Sequence, residues 1–243
     1  MYTEQNRGFT IITNFGCDCH CKYCISKHHP ILQNRTTDVN AIDWQYLETC
    51  IAKSNAPTVN LSGGGDPFYH WQENKDFYKK VYTLAAKYGK QLDIHTRILP
   101  DDPEILKLFR KIALSVEYYD TKAFEDLARA YDNAKPYVKL RVIQVVDNKI
   151  TGEQCREYIK KINNIGIHQV TFRQMFGNKS AYEHFKELES LKWPDGVLFL
   201  KDGEYHNYYF TTTNELYPYF FGSSEEDRKK WMKKYEDIEQ SCN

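Results

Sequence analysis

The feature that most constrains this chain is an alternation of short apolar runs of strand length with longer segments of helical period, repeated six times. GFTIITNF (8–15) leads to AIDWQYLETCIAK (41–53), and TVNLS (58–62) leads to NKDFYKKVYTLAAKYG (74–89). QLDIHTR (91–97) precedes PEILKLFRK (103–111), and IALSVE (112–117) precedes TKAFEDLARAY (121–131). VKLRVIQVV (138–146) with GEQCREYIKKINNIG (152–166), then HQVTFRQM (168–175) with a helix near 180–192, complete the series. Helices interleaved with β-rich runs predict βαβ units on a parallel sheet. Right-handed crossovers then curl six such units into a barrel or partial barrel.

The tail departs from the pattern. VLFLKDGEYHNYYFTTTNELYPYF (197–220) has an Asp202-Gly203 turn between β-rich runs and predicts a hairpin. The mixed-charge segment EEDRKKWMKKYEDIEQ (225–240) predicts a closing helix. No repeat, low-complexity stretch or long linker divides the 243 residues. The expected fold is therefore α/β, a partial (β/α)6 TIM-like barrel with a C-terminal β-hairpin and helix extension. Residues 1–195 form the core, and 196–243 cap it within the same domain.

Charge and cysteine usage narrow the setting. The formal net charge is zero, so no global field draws the chain to nucleic acid or an anionic membrane. No stretch approaches the ~18 apolar residues of a membrane span, and residues 1–7 are polar, unlike a signal peptide. Of seven cysteines, four crowd one loop, while Cys50, Cys155 and Cys242 are scattered, which argues against a disulfide framework. Cys50 and Cys155 fall in helical patterns as small buried residues. A reducing, cytoplasmic setting is the expectation.

The crowded loop reads CDCHCKYC (17–24), with Cys17, Cys21 and Cys24 in C-x3-C-x2-C spacing after the first strand. Three such thiolates can hold three irons of a [4Fe–4S] cubane and leave the fourth iron without a protein ligand. An iron with an open position can bind a small molecule and deliver an electron to it. The alternative is zinc, with Cys19 and His20 joining the ligand set. Zinc sites usually split their ligands between separated pairs, and no second C-x2-C or H-x3-H pair is present.

One strand later comes SGGGDPF (62–68), glycine-rich and able to bring backbone close to a ligand. A strand-to-helix turn accounts for the same glycines. The two motifs in this order, with the aromatic Tyr23 before the last thiol, resemble the radical S-adenosylmethionine (radical SAM) family. The resemblance covers about the first 175 residues. It implies that the amino and carboxylate groups of SAM chelate the open iron, and that an electron splits the sulfonium to a 5'-deoxyadenosyl radical that abstracts hydrogen from a substrate. Gly64, Gly65 and Asp66, followed by Pro67, look like the GGDP form of the motif that holds the SAM amino group in that family.

Later strand ends offer further polar groups: His95-Thr96-Arg97, Ser115, Glu117, Arg141, Gln144 and Arg173. Ribose hydroxyls suit Ser115 and Glu117, and a carboxylate suits the fork of Arg173; the competing account is that these residues point to solvent or pair with one another. No second cysteine cluster is present, so the electron is expected from a separate flavodoxin- or ferredoxin-type donor. His20, Lys22 and Lys27 offer it a basic rim, or simply solvate the loop. Within the family the chain has features of aminomutase-like, deazapurine-synthase-like and glycyl-radical-activase-like enzymes, and none is singled out. Tyr205, His206, Tyr208 and Tyr209 offer stacking faces to a small polar molecule or a flipped-out base; alternatively they plug the barrel.

Overall fold

A computed structural model describes residues 8–19, 21–24, 38–175, 178–201, 207–218 and 226. The strands are β1 (Phe9–Ile12), β2 (Thr58–Leu61), β3 (Gln91–Thr96), β4 (Lys111–Ser115), β5 (Lys139–Val146), β6 (Val170–Gln174), β7 (Val197–Leu200), β8 (Tyr208–Thr211) and β9 (Leu216–Tyr217). Between them run α1 (Trp44–Lys53), α2 (Lys75–Lys87), α3 (Pro103–Leu106), α4 (Thr121–Ala134), α5 (Gly152–Ile165) and α6 (Lys179–Glu189). All strands join one sheet in the order β7-β6-β5-β4-β3-β2-β1-β8-β9. Every pairing is parallel except β8 with β9.

Local chemistry sets the helix ends. Asp43, Asp120 and Asn178 each accept a backbone N–H in the first turn of α1, α4 and α6, satisfying a donor the helix itself cannot. Thr151 and Gln154 form a reciprocal capping box at the start of α5, and Gly166 stops that helix at φ +101°. Each cap fixes one end of its helix.

The sheet has two different faces because side chains alternate along each strand. Phe9, Ile11, Val59, Leu61, Ile94, Ile112, Val142 and Phe172 are fully buried in one core beneath the helices. Burying each such side chain contributes roughly 1.5–3 kcal/mol. The residues between them, among them Asn60, Asp93, His95, Lys111, Arg141, Thr171 and Arg173, face the other way. A parallel sheet packed on both faces reads as continuous apolar runs; here the inner face is polar, as suits a lumen.

The sheet is open yet must curl. Leu200 at the end of β7 and Tyr208 at the start of β8 are eight residues apart in sequence but belong to strands at nearly opposite ends of the sheet order. Seven strand spacings in a flat sheet would separate them by about 34 Å. Eight residue steps reach at most about 28 Å. Only a curved sheet satisfies both, which is the partial barrel expected from the alternation.

Two expectations need correction. A C-terminal hairpin is present, but its strands are β8 and β9 rather than the runs flanking Asp202-Gly203. The run 197–200 instead pairs parallel with β6, and 208–211 pairs parallel with β1. The physical reason lies on β1, which has a free edge opposite β2. Tyr208 N–H donates to Gly8 O at 3.0 Å and Gly8 N–H to Asn207 Oδ1 at 2.8 Å, so β8 satisfies that edge. The helix expected over 103–111 ends at Leu106, because Arg110 N–H is already bonded to Leu92 O at 2.8 Å and β4 starts beside it. The Asp202-Gly203 turn, and all but Glu226 of the helix expected over 225–240, lie outside the described residues.

Candidate cofactor and metal site

The cysteine loop and the glycine loop meet at the carboxyl end of the sheet. Gly16 and Gly65 form a parallel bridge just beyond β1 and β2, and Asp66 N–H donates to Gly16 O at 2.9 Å. Gly64 and Gly65 have φ of +66° and +122°. A Cβ on Gly65 would lie 2.3 Å from Gly16 O, and one on Gly64 would lie 2.9 Å from the backbone of Asn14. These glycines are therefore required by the close approach of two backbones, one of which leads directly into Cys17.

Asp66 is buried, and its carboxylate is fully used. Oδ1 accepts from Thr96 Oγ1 at 2.6 Å and from Phe68 N–H at 2.8 Å, and Oδ2 accepts from Arg97 N–H at 2.6 Å. Burial nevertheless outweighs these bonds and raises its pKa above the usual carboxylate range. Asp66 thus staples the glycine loop to the end of β3.

Arg97 is the hub that sequence reading named only as part of a strand end. Its Nη1 donates to Cys21 Sγ at 3.6 Å, to Tyr23 Oη at 3.3 Å and to Glu117 Oε1 at 3.3 Å. Its Nη2 lies 3.7 Å from Asp120 Oδ2. Tyr23 donates its hydroxyl to Glu117 Oε1, and Gln144 Nε2 donates to Glu117 Oε2 at 3.3 Å. Tyr23 and Glu117, two predicted site residues separated by 94 positions, are thereby brought into contact. Burial raises the pKa of Glu117 despite Tyr23 and Arg97; burial, then the charge of Glu117, raises that of the Tyr23 phenol. The alternating phase of β3 was the available signal for Arg97: Ile94 and Thr96 point to the core side, so Arg97 points inward.

The thiols are free among the described residues, with Cys17 exposed and Cys19, Cys21 and Cys24 half-buried. Cys24 N–H donates to Cys21 O at 3.2 Å, closing a turn over Lys22 and Tyr23. Cys19 N–H donates to Cys17 Sγ at 3.3 Å. Burial raises the Cys17 thiol, and burial followed by the charge of Cys17 pushes Cys19 up to about 12. The ligand atoms of Cys17, Asp18 and Cys19 lie within 4.8 Å of one another, the one such group found among the described residues. Three unoxidised thiols of a single loop, with a guanidinium against one of them, fit a cluster that takes three thiolates. The Cys17–Asp18–Cys19 group is a different set, compact enough for a single ion.

The remaining expectations divide. Ser115 ends β4 half-buried, in register with Ile143. Arg173 lies on β6 in register with Val145. Cys50 and Cys155 are buried in α1 and α5 as expected. Tyr209 packs with Ile12 and Tyr217 in a small separate cluster, while Tyr208 packs against the main core. His20, Lys27, Tyr205, His206 and Cys242 lie outside the described residues.

No family model matches the sequence. Among solved structures, the fold is similar to that of SuiB from Streptococcus suis. The crystal structure of SuiB bound to S-adenosylmethionine aligns over 96% of this chain and 66% of SuiB, at 16% identity and a TM-score of 0.59. SuiB bound to its precursor peptide SuiA aligns over 95% and 64%, at 14% identity and a TM-score of 0.59. This chain spans just under two thirds of the SuiB length in both. The likeness is one of fold. Among the described residues no helix is long and apolar enough to cross a membrane.

Proposed function

We propose that this chain is a radical SAM enzyme. The observation that carries the reading is the bridge between Gly16 and Gly65, which packs a three-thiol loop against a glycine loop at the carboxyl end of a curved parallel sheet. Ligands of such sheets sit at that end, and the fold shared with a SAM-bound protein supports the same assignment.

In this reading Cys17, Cys21 and Cys24 hold a [4Fe–4S] cluster. Cluster and SAM, when bound, supply a low-potential electron and a carbon radical able to abstract hydrogen. The chain's own residues bind and orient. Backbone groups of Gly64 and Gly65 meet the SAM amino group, and Asp66 fixes that backbone by its three hydrogen bonds. Tyr23, Glu117 and Ser115 line the ribose side, with Arg97 holding Tyr23 and Glu117 together. Hydrogen is taken from a small polar, nucleobase-like or amino-acid-like substrate, and a separate reduced protein donates the electron.

Anaerobic reconstitution with iron, sulfide, dithionite and SAM tests the reading. Release of 5'-deoxyadenosine is expected; its absence with the cluster intact counts against it. A second reading, a zinc-binding module, is favoured by the compact Cys17–Asp18–Cys19 group. About one zinc per chain, with no iron or sulfide after anaerobic purification, would select it.

A further inference from the structure

Arg97 does more at this site than hold Tyr23 and Glu117 together. Its Nη1 donates to Cys21 Sγ at 3.6 Å, across 76 positions of sequence. The same nitrogen reaches Tyr23 Oη and Glu117 Oε1, each at 3.3 Å, and Nη2 lies 3.7 Å from Asp120 Oδ2. A guanidinium is not deprotonated in proteins, so the sulfur of Cys21 faces a permanent cation.

The position of that cation is set from outside the cysteine loop. Arg97 directly follows Thr96, the last residue of β3, and Asp66 Oδ2 holds its backbone N–H at 2.6 Å. Its side chain is 22% exposed, and a partly buried charge is screened far less than one in open solvent. Glu117 and Asp120 balance part of the charge, but of these groups it is the guanidinium that donates to the thiol. Iron–sulfur potentials respond to net charge and to hydrogen bonds on the sulfurs, and partners beyond the ligands themselves carry much of that tuning. Reduction adds one negative charge to a cluster. A cation donating to one of its thiolates therefore favours the reduced form over the oxidised one.

We propose that Arg97 is a positioning residue that raises the reduction potential of the cluster by acting through the Cys21 thiolate. The inference rests on the radical SAM reading, in which Cys17, Cys21 and Cys24 hold a [4Fe–4S] cluster, and assigns the control of that cluster to a residue of β3's carboxyl end. The step it governs is a one-electron transfer. In the assay one electron leaves the sulfur dioxide radical anion of dithionite, the cluster passes from the 2+ to the 1+ state, and no proton moves.

A redox titration followed by electron paramagnetic resonance, on anaerobically reconstituted chain without SAM, tests the assignment. Arg97→Gln removes the charge and should lower the reduced-to-oxidised ratio at a fixed potential about tenfold, a midpoint about 59 mV more negative. Arg97→Lys keeps a charge without the planar fork and should fall between that variant and wild type. Asp120→Asn removes an acidic partner of the guanidinium and should move the midpoint the other way. Asp120 also caps α4, a role asparagine fills equally well. Iron and sulfide contents ensure that the same cluster is compared in each sample. A midpoint in Arg97→Gln equal to or above that of wild type overturns the proposal. Where the Arg97 variants hold no cluster, Asp120→Asn decides alone, and an unmoved or lowered midpoint there overturns it. The two readings fail differently: no [4Fe–4S] signal in wild type removes the radical SAM assignment and this inference with it. Unmoved midpoints in a chain that still releases 5'-deoxyadenosine remove only the role of Arg97.

Discussion

Arg97 gives its backbone N–H to Asp66 Oδ2 at 2.6 Å while its side chain reaches Cys21 Sγ at 3.6 Å. One residue thereby links the glycine loop after β2, the end of β3 and the cysteine loop after β1. Asp66 receives three donors in a buried position, and removing its carboxylate leaves the Phe68 and Arg97 N–H groups without an acceptor, while Thr96 Oγ1 keeps only Ile98 O at 3.2 Å. We expect Asp66→Ala to cost about 3–5 kcal/mol, since each stranded buried donor costs roughly 1–3 kcal/mol before relaxation. Asp66→Asn keeps one acceptor and should lose about half as much. Urea unfolding of the two variants checks the order; equal losses would mean that the hydrogen bonds do not carry the effect.

The glycine loop yields a sharper contrast. Gly65→Ala places a Cβ 2.3 Å from Gly16 O at φ +122°, a clash of backbone against which no side chain can give way. Gly89→Ala, at φ +67°, meets nothing within 4 Å and should cost only the roughly 1–2 kcal/mol of a left-handed alanine. Gly65→Ala should therefore exceed Gly89→Ala by at least about 2 kcal/mol or prevent folding. Comparable thermal unfolding of the two would remove the bridge as the reason for the glycine.

The alternation of runs was enough to expect parallel βαβ units, and the strands from β1 to β6 lie where it indicated. What the tail does was not legible, because the run 208–211 has the same composition whether its partner is its neighbour in sequence or β1. The edge it joins belongs to a strand 199 residues away from Asn207, a choice that only three-dimensional closure makes. The same holds at the site. CDCHCKYC and GGGDP are contiguous and visible, whereas Arg97, Glu117 and Gln144 act through side-chain phase at three strand ends. Asp66 was legible as a position, whereas the three donors that its buried carboxylate accepts, from Thr96, Phe68 and Arg97, are not revealed by its sequence neighbours.

The two candidate ligand sets make different predictions for metal content. Under the cluster reading, Cys17→Ala, Cys21→Ala and Cys24→Ala each lose the brown [4Fe–4S] chromophore on anaerobic reconstitution, and Cys19→Ala retains it with about four irons per chain. Because Cys19 sits with Cys17 and Asp18 rather than apart from them, Cys19→Ala is the informative variant. Loss of iron in Cys19→Ala, with iron kept in Cys21→Ala and Cys24→Ala, would move the metal to the Cys17–Asp18–Cys19 group.

His95 gives the chain a predicted acid sensitivity. Its pKa falls from an ordinary value near 6.5 to about 3 on folding, through burial and then the cations Arg173 and Lys111. Between those two values the unfolded chain binds a proton that the folded chain refuses, so acid favours unfolding. The contribution is fully present above about pH 6.5 and is lost progressively as pH falls toward 3. Asp66 and Glu117 act with the opposite sign, because burial raises their pKa and the folded form takes up protons first. Their effect is common to wild type and a His95→Gln variant, so the difference between the two isolates the imidazole. The stability of wild type relative to His95→Gln should decline by about 1 kcal/mol for each pH unit between pH 6 and pH 4, close to the limit of one proton. Urea midpoints across that range measure it; parallel profiles would mean that His95 is open to water and not held among the cations of the inner face.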